Sequence, residues 1–230
     1  MHAAHRVPTE RTQSMPRIVD HKERRRQICD VLLDIVAEAG IGSATIREVA
    51  DRSGWSTGVI GHYFRGRDDL LLGGLRRAAE ILAERHTRLL DTLDGVQALE
   101  QLLETSVPLD GRRLALARIF FFFFVEAMTD EVLRQEVESY LVAWRKAIAR
   151  AIRKAQDNGD LSTDIDAKEL AKDLVGLADG MSMHALLDQN VMVRLREQSP
   201  VRYWLTRLAR DPSPERPSPR PAFSRPSADG

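Results

Sequence analysis

An all-α fold is predicted by three features of the 230-residue chain. Apolar side chains recur three and four residues apart along most of the stretch from residue 20 to residue 209, the spacing of helices with one buried face. No convincing strand-turn-strand pattern interrupts that spacing. Apolar residues make up 43% of the chain, enough for a packed core, which excludes full disorder.

The elements follow in chain order. Residues 1–19 carry Pro8 and Pro16 without periodicity and read as a flexible arm. From Asp20 to Ala39, apolar Ile28, Val31, Leu32, Ile35 and Val36 line one helix face, and Gly40 supplies the C-terminal stop. Two short helices occupy residues 45–64. Longer helical stretches cover about 67–93, 96–105, 112–128, 130–157, 166–189 and 191–209, with a turn at Asp157-Asn158-Gly159-Asp160. That turn lacks the ligand spacing and final Glu of a calcium loop. Residues 211–230 place six prolines among Ser and Arg, which suits neither helix nor sheet, and read as a disordered tail.

Composition narrows the function. The chain has 34 basic and 34 acidic side chains, so any contact with DNA must come from a local patch. The middle, 74–193, is acidic, with 15 Lys/Arg against 20 Asp/Glu, and both ends are mildly basic. The longest apolar run, Ile119 to Val125, is far short of the ~20 residues that cross a bilayer. The N-terminus shows no secretory signal, and a single cysteine, Cys29, excludes an internal disulfide framework or a Cys-rich zinc site. A cytoplasmic protein without membrane contact is expected. No catalytic, nucleotide-binding or zinc-protease motif stands in the chain, so neither enzymatic activity nor a cofactor nor a metal site is expected.

Residues 45–64 carry the most information. Thr45-Ile46-Arg47-Glu48 has the form of a capping box, in which the Thr45 hydroxyl accepts the Glu48 N–H and the Glu48 side chain reaches back. Ile46, Val49 and Ala50 give this helix its inward face. Ser53-Gly54 ends it, and Ser56 is a good N-cap for the next, flanked by Trp55 and Ile60 as a hydrophobic staple. Two short helices across a Gly-containing turn form a helix-turn-helix, whose second helix reads the major groove with its N-terminal residues. Ser56 and Thr57 offer short hydroxyls, Gly58 allows close backbone approach, and His62 and Tyr63 close the helix with polar ring tips. Arg67, at the start of the following helix, is placed to meet a phosphate there. Arg24-Arg25-Arg26 reads either as a solvated helix face or as a phosphate-facing end.

Here the chain resembles a family. Residues 22–82 are similar to the DNA-binding domain of TetR-type bacterial transcription regulators. The shared pattern runs through Thr45, Ile46, Val49, Ala50, Gly54, Ser56, Gly58, Tyr63, Phe64, Arg67, Asp69, Leu70 and Leu71, with Trp55 where the family usually has Val. Ser56 to Phe64, preceded by Arg24 to Ile28, is most similar to the choline-responsive BetI-like branch. The resemblance implies a homodimer on double-stranded, pseudo-palindromic operator DNA. Most such proteins are repressors released by a small-molecule effector. Residues 83–210 would form the helical effector-binding and dimerisation domain. The expected DNA contacts are Thr45 and Arg47 to phosphates, Ser56, Thr57, Gly58 and His62 on the reading surface, and Tyr63 and Arg67 clamping the far phosphate. An activator, or a helical ligand-binding or scaffold protein that has lost operator binding, are the alternatives.

Phe120 to Phe124 spread around most of a helix and read as the buried centre of the C-terminal domain. The competing reading has Phe120, Phe121 and Phe124 lining an effector cavity with Tyr140, Trp144 and Met181, a surface for an apolar or cationic ligand of unknown identity. Gly176 and Gly180 are either tolerated in a long helix or, with His184, lie at a dimer seam. The resemblance places that seam in the last two helices, 166–189 and 191–209.

Overall fold

The computed structural model describes residues 21–197 and, beyond them, Arg202, Trp204 and Leu205. The expected arm, 1–19, and tail, 211–230, lie outside the described residues, as does most of the last expected helix beyond residue 197. The described residues form helices and no strand. The order is α1 (His21–Ala39), a 3-10 turn (Ile41–Ser43), α2 (Ile46–Ser53), α3 (Thr57–Tyr63), α4 (Arg67–Thr92), α5 (Gly95–Glu104), α6 (Gly111–Glu126), α7 (Glu131–Asp157), α8 (Ala167–Leu187) and α9 (Gln189–Glu197). The 3-10 turn was not foreseen. Arg202, Trp204 and Leu205 are also helical.

Local chemistry sets most of the boundaries. Asp94, Asp110, Asp130 and Asp166 cap α5 to α8, each carboxylate accepting a backbone N–H of the first turn. Gly159 takes a positive φ of 80° in the turn that ends α7. α1 buries more than one stripe: Cys29 and Leu33 are buried beside Ile28, Leu32, Ile35 and Val36, while Val31 is only half-buried. The reason is that α1 packs against both α4 and α6.

Two large apolar cores and a small third one, Val107 with Ala185, result among the described residues. The first joins α1 to α4 with Leu116, Ile119 and Phe123 of α6 and Val137 of α7. The second packs Leu99 and Leu102 of α5, Ile148 and Ile152 of α7 and Ala171 and Val175 of α8 around Leu205. α4 crosses from one to the other as a single helix. At its start Gly73 allows a close approach: a β-carbon there would stand 2.6 Å from the Phe64 ring and 3.1 Å from Cys29 Sγ.

The phenylalanine run departs from expectation. Only Phe123 is fully buried. Phe120, Phe121, Phe122 and Phe124 are half-buried, because α6 packs on α1 along one side and borders a cavity along another. No helix of the described residues is long and apolar enough to cross a membrane.

Candidate nucleic-acid interface and ligand cavity

The helix-turn-helix is built by its caps. Thr45 Oγ1 accepts the Glu48 N–H at 3.1 Å, as the capping box requires, but the Glu48 carboxylate lies 3.7 Å from Arg52 Nη2. Gly54 ends α2 in the left-handed region, at φ 73°, which glycine adopts without steric cost. Ser56 Oγ then accepts the Val59 N–H at 3.2 Å and starts α3. Ile60 is buried beneath α3, and Trp55 packs half-buried on the same core under the Arg24 guanidinium, 4.7 Å from its ring.

This packing turns one face of α3 outward. Ser56, Thr57, Gly58, Gly61 and His62 are exposed, and so is Val59, at 41%, a residue outside the expected set of DNA contacts. Its signal was positional: it lies one residue from the buried Ile60, about 100° around the helix. Tyr63 is half-buried, its ring 4.5 Å from that of His21 and 5.3 Å from that of His62. The hydroxyls of Thr45 and Ser56 accept caps, which leaves each O–H to donate to an incoming oxygen. Arg47 is 89% exposed, 3.8 Å from the Asp51 carboxylate.

Other basic residues have partners within the protein. Arg67 donates from Nε to the Ala44 carbonyl at 3.0 Å and from Nη2 to the Ile41 carbonyl at 2.8 Å, tying the start of α4 to the loop before α2. Asp69 accepts the Arg65 N–H at 3.0 Å and lies 3.7 Å from Arg25. The first turn of α4 itself has no side-chain cap, its N-cap being Gly66. Arg25 also donates to the Tyr63 carbonyl and stacks 4.2 Å over Phe64, and Arg26 pairs with Glu80 at 3.0 Å. These arginines hold the reading head on α1 and α4.

A cavity of about 630 Å³ opens between α4, α6, α7 and α8. Phe120, Phe121, Phe124, Tyr140 and Trp144 line it, as the aromatic reading expected. Met181 does not; it packs half-buried on the neighbouring cores. The helix contributes Asp179 and Ser182 instead, and Asp179 is two positions, roughly 200°, away from Met181 around the helix. Asp179 was missed because its burial is a property of the tertiary fold. Burial pushes its carboxyl up to about 7, against the lowering effect of the Arg145 charge. His86 is buried in the same wall. Desolvation, helped by the charge of Arg85, lowers it to about 4. Its Nε2 lies 2.9 Å from Thr105 Oγ1, whose own O–H donates to the Leu102 carbonyl at 2.6 Å, so the imidazole proton sits on Nε2.

The outer face of α8 carries the expected seam residues. A β-carbon on Gly176 or Gly180 would meet nothing within 4 Å among the described residues, so none of these requires a glycine there. His184 is exposed. Met183 and Leu187, exposed at 47% and 81%, extend the two glycines into a stripe at spacings of four, three and four. Among the described residues no group of His, Cys, Asp and Glu is arranged to hold a metal ion.

Residues 28–73 match the family model of bacterial regulatory proteins of the tetR family, and residues 95–210 match that of the BetI-type transcriptional repressor C-terminal domain. The chain belongs to the tetR family. Among its TetR relatives, BetI of Escherichia coli strain K12, an HTH-type transcriptional regulator, is 29% identical over 198 residues, covering 84% of this chain and 97% of BetI. PksA of Bacillus subtilis strain 168, another HTH-type regulator, is 29% identical over 178 residues, 76% of this chain and 84% of PksA. A transcriptional regulator from Saccharomonospora viridis, solved in complex with choline, superposes with a TM-score of 0.68 at 25% identity, covering 83% of this chain and 97% of its own. The TetR assignment makes this chain a DNA-binding transcription regulator of the helix-turn-helix class.

Proposed function

We propose that this protein is a repressor that binds a pseudo-palindromic operator as a homodimer and lets go when a small molecule enters the cavity. The observation that carries the reading is the outward face of α3: a helix anchored beneath by Ile60 exposes Thr57, Gly58, Val59, Gly61 and His62, of which only His62 has a ring contact with described residues, to His21 and Tyr63. Thr57 and Val59 are the base readers, a hydroxyl for a base edge and a methyl pair for thymine. Gly58 and Gly61 let the backbone come close. Thr45, Arg47, Ser56 and Tyr63 hold phosphates, which fixes register and supplies the salt-dependent part of the affinity. Arg67 acts on DNA indirectly, by fixing the loop that carries Thr45.

Two copies are needed because one short helix reads only half a site, and the stripe of Gly176, Gly180, Met183 and Leu187 on α8 supplies a self-complementary surface for pairing. The cavity borders α4, which runs unbroken from the reading head, so a guest that prefers one arrangement of α4 shifts the separation of the two heads. The choline complex of the S. viridis regulator supports an effector of small-molecule type. The protein would act in the cytoplasm, where its operator is. Footprinting the purified protein on DNA upstream of its own gene tests this: two protected half-sites about one helical turn apart are expected. A uniform, sequence-blind shift would instead favour a protein that has kept the motif and lost its operator.

A further inference from the structure

Asp179 stands apart from the other ionisable groups of the cavity wall. On α4, Arg76 is held by Glu136 at 2.8 and 2.9 Å, Glu80 receives Arg26 and Arg77, and His86 is neutral and bonded to Thr105. On α7, the Tyr140 hydroxyl donates to Glu136 at 2.7 Å. The face that α6 turns to the cavity is Leu116, Ala117 and three phenylalanines. Asp179 has no hydrogen bond or ion pair with any described residue. Arg145 on α7 acts on it only from outside ion-pair distance, and Arg145 Nε is itself buried without a partner. The indole N–H of Trp144, in the cavity wall, is a second buried donor left unpaired.

Each class of guest meets this wall differently. A neutral apolar molecule would leave the carboxylate desolvated and unpaired, and an anion would be repelled. A small cation would leave most of about 630 Å³ unfilled, a volume in the range of drug-sized ligands. A quaternary ammonium brings charge but no N–H for a carboxylate that lacks a donor.

We propose that the cavity binds a hydrophobic amine, a drug-sized organic cation whose ammonium N–H donates to the Asp179 carboxylate while its apolar body lies against Phe120, Phe121, Phe124 and Trp144. This rests on the reading of the cavity as the effector site. The carboxylate must be ionised to pair with the ammonium, so affinity rises as pH passes upward through about 7, and binding below that value releases the Asp179 proton.

The test is equilibrium dialysis of the full chain against dibenzylamine, its neutral isostere dibenzyl ether, diphenylacetate and choline, at about pH 6 and about pH 7.5. In the wild type the amine should bind about tenfold tighter than the ether at the higher pH, and the advantage should shrink severalfold at the lower. Asp179→Asn should abolish that advantage and leave the ether's affinity unchanged. The wild-type pH comparison stands even if the variant folds poorly. An amine with no advantage over the ether, an advantage that survives Asp179→Asn, or tighter binding of choline or diphenylacetate overturns the proposal while the ether still reports a working cavity. Exclusion of all four probes overturns the effector site itself.

Discussion

Asp179 and His86 lie in one cavity wall and pull stability in opposite directions with pH. His86 is lowered to about 4 from its usual 6.5, so between those values the unfolded chain binds more protons and stability falls as pH falls. Asp179 is raised to about 7 from 3.8, so between those values the folded chain binds more protons and stability falls as pH rises. The two slopes offset each other in the wild type. His86→Gln should therefore leave a protein that loses stability from pH 4 to 7, and Asp179→Asn one that gains it from pH 4 to 6.5. Denaturant midpoints across that range check both, and parallel curves would contradict the assignment. The arginines of the reading head divide in the same residue-by-residue way. Arg67→Ala removes the side-chain donor from the Ala44 carbonyl and the second donor from the Ile41 carbonyl, which keeps the Ala44 N–H, so it should cost about 0.5–1.5 kcal/mol of stability and weaken binding to every sequence, with the salt slope of binding unchanged. Arg47→Ala should leave stability alone and reduce that slope by about one. A reduced slope for Arg67→Ala would put its guanidinium on a phosphate after all.

At the scale of elements, α4 and α8 use glycine for opposite reasons. In α4, Gly73 is small because Phe64 and Cys29 close over it. In α8, Gly176 faces open space. Replacing a helical glycine by alanine gains about 1 kcal/mol of helix propensity when nothing obstructs it. Gly73→Ala should nonetheless lower the thermal midpoint, since the rigid Phe64 ring must give way, at a cost of about 1–3 kcal/mol. Gly176→Ala should stabilise each folded subunit and weaken the association of two. Differential scanning calorimetry with sedimentation on the same samples separates the effects. The caps behaved more simply. Thr45, Gly54 and Ser56 were legible because a cap acts within three residues of its own position, and the helix-turn-helix they delimit appeared where it was read. The return arm of the capping box was not, because Arg52, one helical turn on, sits within reach of the Glu48 carboxylate.

For the whole molecule, the proposed pairing of two copies would decide whether two α3 helices can meet successive major grooves. Leu187 is 81% exposed at the end of the α8 stripe and belongs to none of the cores formed by the described residues. Leu187→Asp should leave the helical content unchanged, shift the protein to a monomer in sedimentation equilibrium, and remove the paired footprint while weak half-site binding remains. A Leu187→Asp protein that stays dimeric would move the seam off α8.

The helical character of the described residues and the place of the helix-turn-helix were determined by sequence alone, because periodicity, caps and turn glycines act over a few residues. Tertiary structure decided what those residues meet. Arg67 reaches carbonyls more than twenty positions earlier in the chain, so it braces the loop before α2, a contact that no local pattern announces. Five phenylalanines in a row fit a core or a cavity equally well until α1 covers one side of α6 and leaves another open. Met181 and Asp179 sit in the same apolar helix, and only the rotation of α8 against α7 selects the acid for the cavity. Burial and charge pairing depend on which helix faces lie opposite one another, and that is fixed by packing across the whole chain.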